Sequence, residues 1–167
     1  MQTAPGQKFS DFPMRLFMCS HHVFSYYHIK YLQAIEHSIT DKILHFYAQQ
    51  KLSRPLWCYV QCMATDSSNA VVRQSCERMV RAALFKALNS AGYDSYGKSL
   101  DGTGGKIQGT FRIHIAEPKA ILKMEFQQLV DYLTTIVSLA VPHFKDPRSH
   151  IRERGHHRGA SMSRTSF

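Results

Sequence analysis

The chain has 167 residues, 44% of them hydrophobic, and a formal net charge of +9 from 21 basic and 12 acidic side chains. That length suits one domain that needs no disulfide or metal staple to bury its core, and no apolar run approaches the ~18 residues of a membrane span. The polar start, Met1 to Asp11, has neither an apolar signal core nor an Arg-rich amphipathic character, so an intracellular protein of the nucleus or cytoplasm with no membrane partner is expected.

Residues 1–11 read as a disordered N-terminus, and Met14 to Cys19 as a short strand. A long helix is predicted over 25–50. Phe24, His28, Tyr31, Ile35, Ile39, Ile43, Phe46 and Tyr47 recur there at three- and four-residue spacing, with Thr40-Asp41 as a place to break it. Ser53-Arg54-Pro55 ends that helix. Leu56 to Ala64 reads as a strand apolar on both faces: Leu56, Cys58, Val60 and Cys62 on one, Trp57, Tyr59 and Met63 on the other. Such a strand is central or covered on both sides.

Asp66-Ser67-Ser68-Asn69 supplies N-cap candidates for a helix running to about Ala91. Val72, Cys76, Met79, Val80, Ala83, Leu84 and Leu88 form its buried stripe, and Gly92 its stop. Its wet face carries Arg73, Glu77, Arg78 and Arg81, where Arg73–Glu77 and Glu77–Arg81 pairs are expected at four-residue spacing. A short strand over Tyr96 to Leu100 with an Asp101-Gly102 turn makes half a hairpin. The other half, Ile107 to Ile115, alternates Ile107, Gly109, Phe111, Ile113 and Ile115 against Gln108, Thr110, Arg112 and His114. Glu117-Pro118 opens a last helix with a wide apolar stripe (Leu122, Phe126, Leu129, Val130, Leu133, Ile136, Val137, Ala140), and Pro142 ends it. From His143 onward, six basic and two acidic side chains without apolar periodicity read as a disordered basic tail.

The fold class is therefore α+β, in the order strand-helix-strand-helix-strand-strand-helix. A small, mostly antiparallel sheet with helices packed on one face is expected. One domain spans 12–142, with an N-terminal strand and helix over 12–52 and a core over 55–141.

Several motifs invite chemistry that their context does not support. Asp101-Gly-Thr-Gly-Gly-Lys106 resembles a phosphate loop, but it opens a strand and no Ser or Thr follows Lys106, so it reads as a hairpin turn. Cys58 and Cys62, three residues apart in a strand, stand roughly 13 Å from each other by strand rise, too far to share a zinc ion. With Cys19 and Cys76 they read as buried reduced thiols, and His156-His157 belongs to the tail. Cys, His and Asp are present without a recognisable nucleophile setting. No catalytic residue, no metal and no cofactor is assigned.

Lys98, Lys106, Arg112, Lys119 and Lys123 cluster in sequence around the hairpin and last helix, with His114 beside Arg112, as candidate phosphate contacts. The tail from Arg152 to Arg164 reads as a nucleic-acid arm, a phosphorylation segment around Ser161, or an inert terminus.

Residues 109–137, from Gly109 through Ala116-Glu117 and Leu122-Lys123 to Leu129-Val130-Asp131-Tyr132-Leu133, resemble the small dimerising subunit of the KEOPS tRNA-modification complex, which is related to the cancer/testis antigen domain. Leu56 to Ala64 with the helix after it, and Tyr96 to Leu100, look like that family's first strand, helix and second strand, so the resemblance covers about 55–141. It implies a non-catalytic subunit of a larger protein complex, paired with itself or a paralogue and docked on a threonylcarbamoyl-transferase that acts on tRNA. The last helix would be the partner surface: Leu122, Phe126, Leu129, Leu133 and Ile136. The small protein subunits of ribonuclease P and MRP resemble the element order over Val71 to Leu133 and imply the alternative, an RNA-contacting scaffold. A small enzyme of unknown type is the third reading.

Overall fold

In the computed structural model of the chain, residues 2–3, 12–33, 38–62, 69–102 and 104–145 are described. Strands β1 (Gln2–Thr3), β2 (Met14–Cys19), β3 (Leu56–Cys62) and β4 (Gly109–Ile115) form one sheet in the order β1-β2-β4-β3. β2 runs antiparallel to β4, with Met14 opposite Ile115 and Phe17 opposite Arg112. β3 runs parallel to β4, with Leu56 opposite Gly109 and Cys62 opposite Ile115. Five helices complete an α+β fold: α1 (Tyr26–Gln33), α2 (Thr40–Ser53), α3 (Ala70–Ser90), α4 (Pro118–Leu122) and α5 (Phe126–Lys145).

Strand alternation decides where the core sits. Leu56, Val60 and Cys62 of β3 share a face with Phe111, Ile113 and Ile115 of β4, and α3 and α5 close over them. Cys76, Val80, Ile113, Ile115, Leu129 and Leu133 have no exposed surface. On the opposite face Trp57 packs against Ile43 and Tyr47 of α2. Helices therefore lie on both faces, and β3 is covered on both sides although it stands at the edge of the sheet. Thr110, nominally on the wet face of β4, is buried: its hydroxyl donates to the His21 carbonyl and accepts the Val23 N–H, each at 2.9 Å. This ties the segment before α1 to the sheet.

The end signals of α3 work as the sequence dictates. The Asn69 side chain accepts the Val72 N–H at 3.0 Å. At the other end Gly92 adopts φ +84, the Tyr93 N–H reaches back to the Leu88 carbonyl and the Gly92 N–H to that of Asn89, a Schellman closure.

Other expectations change. The long N-terminal helix is two helices, with α2 beginning at Thr40. Phe24 and Phe46 are exposed, while Ile43 and Tyr47 are buried. Ile35 lies outside the described residues, as do Met63 to Ser68, residues 4–11 and the tail from 146.

Tyr96 to Leu100 is not a strand of the sheet. Isolated bridges, Tyr93 to Ser99 and Lys98 to Lys106, close a tight turn instead. Its geometry is set by Gly97 at φ +82, where an added Cβ would stand 2.6 Å from the Leu56 Cβ. The last helix breaks after Leu122 and restarts at Phe126, and Pro142 sits inside α5 rather than ending it. The helix continues because Phe144, three residues after Val141 and four after the buried Ala140, is itself buried near Phe111 with ring centroids 6.3 Å apart. Glu77 is not purely a surface partner of arginines, since its Oε1 accepts the Cys62 backbone N–H at 2.9 Å.

Candidate functional site

Because β3 is an edge strand, one side of its backbone faces β4 and the other faces no strand. On that outer side the Leu56 N–H donates to the Tyr96 carbonyl at 2.8 Å and the Cys62 N–H to Glu77 at 2.9 Å. With the two-residue period of a strand, the N–H and C=O groups of Cys58 and Val60 point outward as well. Among the described residues no hydrogen bond engages either N–H. Turn and helix thus cap the two ends of the edge; between them Val60 is buried, and Cys58 borders a cavity.

A cavity of about 520 Å³ lies beside the first half of this strand, Leu56 to Tyr59. One bank is α3, which contributes Arg81 and Phe85; the other is α1 and α2, with Tyr27, His28, Phe46, Tyr47 and Gln50. The turn adds Ser95 and Tyr96, and the Arg54 guanidinium lies 4.6 Å from the centre of the Tyr96 ring. The lining contains arginines and aromatic rings and no Asp or Glu.

Tyr47 organises the α2 bank. Its hydroxyl accepts the Ser25 N–H at 2.9 Å and lies 2.7 Å from His28 Nδ1. Burial, then the neighbouring Tyr47, pushes the Tyr59 phenol well above its usual value. Burial pushes the Cys58 thiol up to about 12, against the opposing pull of the Arg81 charge. A neutral thiol is a poor nucleophile and a poor metal ligand. Trp57, stacked on His22 with ring centroids 4.3 Å apart, buries its indole N–H with no acceptor among the described residues. None of the four cysteines forms a disulfide, and no group of three or more potential metal ligands occurs among the described residues.

The residues singled out from sequence do not assemble as expected. Leu129 and Leu133 are wholly buried and Ile136 nearly so, all three inside the chain's own core between α5, α3 and the sheet. They present no surface to a partner in this fold. Leu122 at the end of α4 and Phe126 at the start of α5 remain exposed, with Lys86 over the Phe126 ring at 5.8 Å.

The cations scatter too. Lys98 and Lys106 face each other across a bridge in the turn that precedes β4, whereas Lys119 and Lys123 lie in and just after α4, beyond its far end. The seven residues of β4 hold the two pairs about 20 Å apart. Arg112 instead stands in a cross-strand row between Phe17 and Tyr59 and donates to Gln61 Oε1 at 3.5 Å. His114, beside it, meets the Phe17 ring edge-on at 5.2 Å. Burial first, then Arg112 and Arg15, holds it below its ordinary value.

The groove itself was missed from sequence. Its members come from five separate segments, and only the parallel placement of β3 at an edge brings them together.

No family model, curated protein or solved structure matches the chain. No helix among the described residues is long and apolar enough to cross a membrane.

Proposed function

We propose that the chain is a non-catalytic binding subunit that holds a protein partner at the groove beside the first half of β3 within a larger assembly. The observation that carries this reading is the groove beside the first half of β3, lined by arginines and aromatic rings with no acidic side chain in its wall. Purification of the tagged full chain from its own cells, beside an Arg81→Glu chain, tests it. A stoichiometric partner retained by the first and released by the second is expected. A wild-type chain that emerges alone and monomeric would overturn it.

The narrower form of the proposal, a subunit of a KEOPS-type tRNA-modification assembly, rests on the resemblance of 55–141. The turn at Tyr96 to Leu100, where that family has its second strand, counts against it. Co-purification of a threonylcarbamoyl-transferase is the result that would support it.

One observation favours a second reading, an RNA-contacting scaffold of a ribonuclease P/MRP-like particle. Arg15, exposed, lies with Phe17, Arg112 and Tyr59 on the sheet face away from α3 and α5, in a chain of net charge +9. Cations and rings on one sheet face suit phosphates and bases. Filter binding of tRNA across a salt series should then fall steeply and weaken with Arg15→Ala, and a flat response would end this reading.

A further inference from the structure

Resting on the binding-subunit reading, we infer that the groove beside β3 receives one aryl phosphate side chain, a phosphotyrosine, presented by a segment of the partner protein.

The groove takes a side chain rather than a strand. It meets β3 only from Leu56 to Tyr59, and Val60 beyond it is buried. The Leu56 N–H is already held by the Tyr96 carbonyl at 2.8 Å. Too little edge backbone is left for a ladder, and what can enter is a plug.

Charge makes that plug an anion. Arg54 and Arg81 line the cavity and no Asp or Glu does. The Arg81 charge reaches Cys58 on the β3 wall. A phosphate carries about −1.5 to −2 charges at pH 7 and accepts charge-assisted hydrogen bonds from guanidinium groups.

Shape makes the anion aromatic. Seven of the fifteen lining residues are Phe, Tyr or Trp. The volume of about 520 Å³ is that of a small-molecule cleft, so a carboxylate or a phosphoserine would leave most of it unfilled. Arg54 lies over the Tyr96 ring, 4.6 Å from its centre, and the other face of its planar guanidinium suits a second ring. A phosphotyrosine ring stacked there leaves its phosphate for Arg81.

The rim makes the source a protein. Tyr27 is 60% exposed, Phe46 47% and Tyr96 39%, so three lining rings reach solvent where residues flanking the phosphotyrosine would cover them. A free nucleotide would leave them in water and find no carboxylate to accept its ribose hydroxyls or base amine. Residues 146–167 contain no tyrosine, so the chain's own tail does not supply the group.

The chain has one tryptophan, Trp57, in the cavity wall, and its fluorescence reports occupancy. Titration of the full chain with the peptide Ala-Gly-Ala-phosphotyrosine-Ala-Gly-Ala should change that fluorescence saturably. The unphosphorylated peptide and the phosphoserine peptide should each bind at least about tenfold more weakly. Arg81→Gln and Arg54→Gln should each weaken the phosphotyrosine peptide about tenfold. Both positions are exposed, so the far-ultraviolet circular dichroism of the variants should match that of wild type.

Absence of binding overturns the inference. So does phosphoserine peptide or inorganic phosphate binding as tightly as the phosphotyrosine peptide, which would leave the rings without a part. Equal binding of AMP would mark a nucleotide site, and a dimer of the unmodified chain that Arg81→Glu dissociates would give the groove to a second copy; either result overturns it. Binding that both folded arginine variants retain would place the peptide elsewhere and overturns it too. If the peptide fails while the full chain purifies with a partner that Arg81→Glu releases, the phosphotyrosine inference falls and the binding-subunit reading stands. If the chain also purifies alone, both fall.

Discussion

Replacing Leu133 by alanine separates a core leucine from a docking leucine. Leu133 has no exposed surface and lies between α5, α3 and the sheet, whereas Leu122 on α4 is 36% exposed. Removing three carbon groups from a buried site costs about 2.4 kcal/mol in transfer free energy, at ~0.8 kcal/mol per group. The cavity left behind raises the total to about 3–4 kcal/mol, within the range for leucine truncations in well-packed cores. At Leu122 the same truncation removes surface already partly in water and leaves no closed cavity, so about 1–1.5 kcal/mol is expected. Urea unfolding of the full chain followed by far-ultraviolet circular dichroism measures both, with the denaturant slope unchanged. If Leu133→Ala unfolds within about 1 kcal/mol of wild type, or no more easily than Leu122→Ala, the packing described for α5 is wrong. A docking role for this stripe would then return.

Three other outcomes follow from local chemistry. Glu77→Ala should destabilise the chain by about 1–2 kcal/mol through loss of a charged acceptor for the Cys62 N–H, and Glu77→Gln, which keeps an oxygen there, by about half as much; equal losses in urea unfolding would refute the cap. Gly97→Ala should cost about 2–4 kcal/mol, because a Cβ there meets Leu56 and the Ile107 carbonyl at a positive φ. Gly102→Ala, at φ +67 with nothing within 4 Å, should cost only the backbone share, about 1 kcal/mol. The folded His114 resists protonation more than the unfolded one, so its effect on stability is absent above the ordinary histidine value of about 6.5 and grows as a loss when pH falls from there toward the lower folded value. Thermal unfolding at stepped pH should show that decline reduced in His114→Gln, and an identical pH profile would exclude the histidine as its source.

What could be seen in the sequence was whatever repeats with the period of one element. The alternation around Phe111, Ile113 and Ile115 and the stripe from Cys76 to Leu88, with Asn69 and Gly92 at its ends, placed β4 and α3. Tertiary contacts decided the rest. Gly97 turns the chain where Tyr96 to Leu100 looked extended, because Leu56 leaves no room for a side chain. Pro142 is carried inside α5 because burying Phe144 outweighs one missing N–H. The apolar stripe of α5 looked wide enough for a core and a partner together, and the core took most of it. Glu77 gave no signal of its inward turn, since a carboxylate four residues from two arginines looks like a surface ion pair. The groove depends on which strand stands at the edge, and that follows from β3 pairing in parallel with β4, which no local pattern encodes.

The two banks of the groove differ in stiffness. α3 is anchored by six buried side chains, while α1 buries none and is held by the His28–Tyr47 contact and the Thr40 hydroxyl on the Tyr31 carbonyl. Opening on the α1 side therefore costs far less than moving α3. A bulky residue arriving there is met by yielding rather than rejection, so discrimination among arriving segments falls to Arg81 on the rigid bank. Amide exchange should quicken in α1 long before α3, and an occupant should slow it there first.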